Sequence, residues 1–220
     1  MTTALVIDTS SAYCSLALQV GEDVFEHHEE LGRRHNEALL ALLDNMFVQA
    51  AVAPTQVDVV GFNAGPGSFT GVRIGAAVTQ AVAFAANAKV VPFTSSTAIV
   101  RSLLGQMADR PGWVVCLPSR GDLYYLSAYR VEQETSVVHA DQLLDSAPQW
   151  LNPLLDAGWG LVGTQPPWLD PVTASVHPLY PLASAQLPHV LTQLDAALAL
   201  PAEQAIPVYL PEDSPWKASG

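Results

Sequence analysis

The sequence predicts an α/β protein of two lobes, the second a reduced repeat of the first. Two observations carry that expectation. Over the first hundred residues, short apolar runs of strand length alternate with longer runs of helical period in the order βββαβαβα. After the turn-rich stretch Asp109, Arg110, Pro111, Gly112 the order βββα begins again, without a residue-level repeat.

The elements follow from local patterning. Residues 4–7 form a short apolar strand closed by the polar turn Asp8, Thr9, Ser10, Ser11. Residues 13–20 form a second strand, Gly21, Glu22 and Asp23 a tight turn, and residues 24–29 a third strand, so the three are antiparallel. A helix spans 36–50, a buried strand 57–62, and the loop 63–71 leads into a helix over 71–86. A strand over 89–93 and a helix over 95–107 complete the lobe. Beyond the break come strands at 113–117, 123–131 and 135–139, with helical character from Ala140. Prolines are dense over 148–188, where only a short strand at Leu161 and Val162 stands out. Residues 187–200 read as a helix and 207–220 as a surface tail. The expected division is a first lobe over 1–108, a smaller second lobe over 109–186, and a C-terminal helix and tail over 187–220 that return toward the first lobe.

Composition narrows the function. The chain has 220 residues, enough for a core that buries roughly 70% of the unfolded surface without staples. It is 50% hydrophobic but only 14% charged, against the usual share of about 25%, so an unusual part of its surface is uncharged. Nine basic and twenty-one acidic residues give a net charge of −12. That field repels phosphate backbones and disfavours a broad nucleic-acid face. Cys14 and Cys116 lie in strand-like runs and read as reduced core thiols. The amino terminus has no signal-peptide pattern, and the charge-free stretch 74–88 is short and rich in small residues, so a cytoplasmic protein outside the membrane is expected.

Two segments invite a ligand reading. Gly65, Pro66, Gly67, Ser68, Phe69, Thr70 and Gly71 join a strand to a helix, the arrangement that cradles anions, but they match neither a Walker A nor a GxGxxG pattern. The plainer reading is a structural connection. Asp8, Thr9 and Ser10 close a strand as in phosphate- and Mg²⁺-holding turns, with an Asx turn as the plainer reading. Asp8, Thr9, Ser10, Gly65, Gly67, Ser68 and Thr70 are therefore the candidates for a weak anion or nucleotide site. The equivalent turn of the second lobe begins with Pro118 where an acid is needed. His27 and His28 point to opposite faces of a strand, and with His35 they have no metal-ligand spacing, so no metal is expected. No GxSxG elbow occurs, and no catalytic residue is assigned.

The first-lobe helices carry more apolar surface than one sheet can cover. Leu39, Leu40, Leu42, Leu43, Met46 and Phe47 exceed the stripe of about 100° that sheet packing needs. The helix after Gly71 has no charge from Ile74 onward, and Gly75, Ala76, Ala77, Ala81 and Ala85 keep it smooth enough for close helix approach. Its free side calls for a partner or the other lobe.

The run Gly65, Pro66, Gly67, Ser68, Phe69, Thr70, Gly71, Val72, Arg73, Ile74, Gly75 is specific. With Ile7-Asp8-Thr9-Ser10, Arg34-His35-Asn36-Glu37 and Pro207-Val208-Tyr209-Leu210, it resembles the TsaB (YeaZ) family of the glycoprotease-like superfamily. The resemblance implies the two-lobed actin, Hsp70 and sugar-kinase fold, each lobe ribonuclease H-like (βββαβα), the second degenerate. It implies a non-catalytic subunit in N6-threonylcarbamoyladenosine formation on tRNA. The partners implied are TsaD, as a heterodimer, and TsaE, with a homodimer when alone and tRNA contacted only indirectly. In TsaD a histidine-held metal follows the strand matching 89–93; here Thr94, Ser95, Ser96, Thr97 and Ala98 follow. The docking surface implied lies on the first-lobe helices, with Leu39, Leu43, Met46, Phe47, Val72, Arg73, Gly75, Ala76, Ala77 and Gln80 as candidates. The family often has Asp-Ala-Arg where this chain has Pro118-Ser119-Arg120, and Tyr-Leu-Arg where it has Tyr209-Leu210-Pro211. No cofactor is expected, and ATP or ADP binds weakly and only in the complex. The alternatives are a glycoprotease-like metallopeptidase and a small actin-like ATPase or sugar kinase.

Overall fold

A computed structural model describes residues 2–103, 110–131, 135–170, 175–176 and 180–210. It divides into two compact units, Met1–Ala98 with Tyr180–Val208, and Ile99–Leu179 with Tyr209–Gly220. The sequence expectation sets its divisions at 108/109 and 186/187 instead.

The first unit is a five-stranded sheet in the order β3-β2-β1-β4-β5. Strands β1 (Thr3–Asp8), β2 (Tyr13–Val20) and β3 (Asp23–Glu30) run antiparallel, and β1, β4 (Val59–Asn63) and β5 (Lys89–Phe93) run parallel. Successive side chains of a strand leave on opposite faces, so β1 serves two cores. Leu5 and Ile7 join Leu16, Leu18, Phe62 and the inner sides of α1 (His35–Gln49) and α2 (Phe69–Ala86). Ala4 and Val6 join Val59, Val91, Leu187 and Val190, the last two from α5 (Leu187–Asp195), on the other face. A methyl group on Gly61 would strike Val190, which is why β4 carries no side chain where α5 crosses it. Of the described helices α2 alone is long and apolar enough, by length and composition only, to cross a membrane. Here its stripe of Val72, Ala76, Thr79 and Ala83 is buried, with Ala76 and Ala83 in the sheet core.

The second unit has the same strand order, β10-β9-β6-β7-β8. Strands β6 (Gly112–Pro118), β7 (Tyr124–Val131) and β8 (Thr135–Leu144) are antiparallel, and β9 (Gly160–Gly163) and β10 (Ser175–Val176) extend the sheet in parallel from β6. Val114, Cys116 and Leu126 pack with Leu151 of α4 (Leu151–Asp156) on one face. Trp113, Val115 and Tyr129 pack with Ile99, Val100 and Leu103 on the other.

Two expectations change, and a third falls partly outside the described residues. Helical character from Ala140 is not found: β8 continues to Leu144, because Gln142, Leu143 and Leu144 pair with Leu126, Tyr125 and Tyr124. The helix expected to reach residue 200 stops at Asp195. Ala197 turns left-handed, the Leu198 N–H closes the end on the Gln193 carbonyl, and Leu200 exchanges two backbone bonds with Val90 at the edge of β5. Helix α3 (Ser95–Leu103) was expected to extend to Met107, which lies outside the described residues.

Candidate functional site

Asp8 ends β1 fully buried, and its carboxylate is spent within the chain. One oxygen accepts from the Ser10 N–H at 2.9 Å and the Ser10 hydroxyl at 2.8 Å; the other accepts from the Asn63 amide at 2.7 Å. Burial pushes this carboxyl above the usual range, against the pull of the Asn63 and Ser10 donors. Asn63, at the end of β4, is the hub of the network. Its side-chain oxygen accepts from the Gly65 N–H and the Ser95 hydroxyl, both at 2.9 Å, and its amide also donates to the Ser10 hydroxyl at 2.9 Å. The ends of β1 and β4, the glycine loop and the start of α3 are thus tied together. Sequence reasoning missed Asn63; its one signal was a polar residue where a buried strand meets a glycine loop.

The glycine loop is closed by the same turn. Ser68 donates its N–H to the Ser10 carbonyl at 2.7 Å, and the Thr9 hydroxyl donates to the Gly71 carbonyl at 2.8 Å. A side chain on Gly67 would collide with the Ser10 carbonyl oxygen, and one on Gly71 with that of Thr9. A side chain on Gly75 would stand 2.6 Å from the Thr9 hydroxyl. These glycines let the loop and α2 approach the turn, where a cradle would leave room for an anion. Ser68 caps α2 by accepting from the Gly71 N–H at 3.1 Å, and Thr70 is exposed. Asp8, Thr9, Ser10, Gly65 and Ser68 thus all take part in hydrogen bonds that join the turn, the loop and α2. Their polar groups hold the fold.

Arg73 stacks its guanidinium 3.2 Å over the Phe69 ring and donates to the Phe69 carbonyl at 2.7 Å. At the start of α3 the Thr94 and Thr97 hydroxyls are 2.7 Å apart, and Thr94 accepts from the Thr97 N–H at 3.1 Å. Among the described residues no group of three or more His, Cys, Asp or Glu side chains is placed to share a metal ion. His28 stacks on Tyr13 at 4.9 Å, Tyr180 stacks on the same ring at 4.1 Å, and His27 lies 3.2 Å from Glu29. Cys14 and Cys116 are free, buried thiols, each pushed up to about 12 by desolvation, beyond thiolate chemistry at neutral pH.

The helix candidates divide by face. Leu39, Leu43, Met46, Phe47, Val72, Gly75 and Ala76 are buried within the lobe itself. Ala77 is exposed, and Arg73 and Gln80 are half-exposed. The outward sides of α1 and α2 carry other apolar groups that the candidate set lacked: Leu40 at 67% exposure, Val48 at 72% and Phe84 at 85%. Phe84 stands open beside the exposed Ala81 and Ala85.

The family model described as TsaD, tRNA N6-adenosine threonylcarbamoyltransferase, matches residues 26–159. The tRNA threonylcarbamoyladenosine biosynthesis protein TsaB of Escherichia coli is 26% identical over 97% of this chain and 96% of that protein. Its Haemophilus influenzae namesake is 33% identical over 57% of this chain, a match that spans about half (52%) of that relative's length. Among solved structures, YeaZ from Pseudomonas aeruginosa superposes with a TM-score of 0.82 at 29% identity, covering 96% of this chain and all of that one. The chain belongs to the family described by the TsaD model, as one of its TsaB/YeaZ members.

Proposed function

We propose that this chain is a non-catalytic scaffold subunit that binds TsaD, and through it TsaE, for N6-threonylcarbamoyladenosine formation on tRNA. The observation that carries the reading is the exposure of Leu40 and Val48 on α1 and of Ala77 and Phe84 on α2 in a TsaB/YeaZ family member. The fold is read as the two-lobed actin, Hsp70 and sugar-kinase class with ribonuclease H-like lobes. Support comes from the identical strand order of the two sheets and the six-residue α4 where the first unit has the fifteen-residue α1. Catalysis belongs to TsaD. Here the polar groups that a nucleotide or metal would use, Asp8, Ser10, Asn63 and Ser95, hydrogen-bond one another. ATP or ADP binds weakly and only in the complex, tRNA is met only through TsaD, and the free chain pairs with itself through the same residues in the cytoplasm.

Ala77→Glu tests the reading. Ala77 is exposed, so the folded chain tolerates the change and melts as the wild type does. Burying that unpaired charge in a complex costs about 3 kcal/mol or more, over a hundredfold in Kd for TsaD. Undiminished binding by calorimetry would reject the helical docking face.

A further inference from the structure

At the entry into α1, Glu37 in the first turn suits the helix dipole, but Arg33 and Arg34 before it do not. Arg34 occupies the N-cap, where Ser, Thr, Asp or Asn is favoured, and its side chain makes no capping bond. Arg33 precedes it. The positive end of the helix dipole disfavours both guanidinium groups there. Both residues are exposed, and among the described residues neither guanidinium has a hydrogen bond or ion pair, in a chain with twenty-one acidic residues. Nor is the turn a loose one. The Leu31 and Gly32 N–H groups both donate to the Ala12 carbonyl at 2.9 Å, and the Arg34 N–H donates to the Leu31 carbonyl at 3.2 Å. Gly32 takes the left-handed φ of 62° that the turn needs. Buried His35 fixes the first helical residue, its Nε2 lying 3.2 Å from the Tyr13 carbonyl oxygen. The backbone thus holds two unpaired cations at a helix end that they weaken, their side chains free in solvent, and such a local conflict points to a role outside the fold.

We propose that Arg33 and Arg34 dock carboxylates on an acidic patch of a protein partner, at the N-terminal end of α1. The proposal rests on the docking reading above and adds the chemistry its partner presents. Guanidinium groups match carboxylates bidentately, and arginine beside apolar groups is what protein interfaces concentrate. Leu40 and Val48 follow on the exposed side of the same helix. RNA fits less well, since two arginines neutralise at most two phosphates of a backbone that carries a charge at every nucleotide.

The test is the double variant Arg33→Gln, Arg34→Ser in the full chain, beside Ala77→Glu. The serine supplies the missing cap, so the melting temperature stays level or rises by about 2–4 °C. Affinity for TsaD falls about tenfold at low salt, and wild type and variant converge at about 0.4 M NaCl, where charge pairs are screened. A lowered melting temperature would make the arginines structural and overturn the proposal. So would tRNA binding by the wild type that the double variant loses. Normal TsaD binding by the double variant with loss by Ala77→Glu overturns the proposal and leaves the docking reading standing; normal binding by both overturns both.

Discussion

Asp8 sits where a phosphate-handling turn would aim a carboxylate at a metal, yet three donors of its own chain hold it in a fully buried place. Burial raises its folded value above the unfolded value near 3.8, so between the two the folded state binds the proton more tightly. The stability this contributes is complete below about pH 3.8 and is lost as pH rises through the folded value. Asp8→Asn cannot ionise and has no such loss. In urea unfolding from about pH 3.5 to 8, the stability of the wild type relative to Asp8→Asn should fall as pH rises above about 4 and then level off. A rising difference would mean that the Asn63 and Ser10 donors outweigh burial. Asp8→Ala, which orphans those donors, should cost about 2–4 kcal/mol.

Helix α2 owes its place to glycines that face the turn after β1. Gly71→Ala drives a methyl group into the Thr9 carbonyl and should cost about 1–3 kcal/mol in urea melts, while Thr70→Ala beside it, on an exposed side chain, should stay within about 0.5 kcal/mol. Equal effects would mean that the helix is not seated on the turn. That seating could not be read from the sequence, because a Gly-Pro-Gly loop looks the same whether a ligand or Thr9, some sixty positions away, fills its open side. The short apolar run did reveal β1, while its division, with Leu5 and Ile7 facing one core and Ala4 and Val6 the other, is set by the fold. The outward side of α1 was hidden for the same reason: Leu39 and Leu40 are equally apolar, and only the fold buries one and exposes the other. β8 was cut short at His139 because Asp141 to Leu144 have no strand pattern of their own, and pairing with Tyr124, Tyr125 and Leu126 decides their state.

At the scale of the whole molecule, charge opposes what the exposed apolar groups favour. Two copies that meet through Leu40, Ala77 and Phe84 each bring a net charge of −12. At low ionic strength that repulsion reaches across the molecule; at 0.1 M salt it is screened beyond about 10 Å, while burial of apolar surface is little affected. Self-association should therefore strengthen as salt rises from about 20 to 300 mM, the opposite of a complex whose arginines meet carboxylates. Sedimentation velocity across that range reads the trend directly. Pairing that weakens with salt would show that ion pairs hold the copies together and that the exposed apolar groups are not their contact. Loss of the salt-strengthened dimer in Ala77→Glu, with an unchanged melting temperature, ties self-pairing to the same helices that are proposed to receive TsaD.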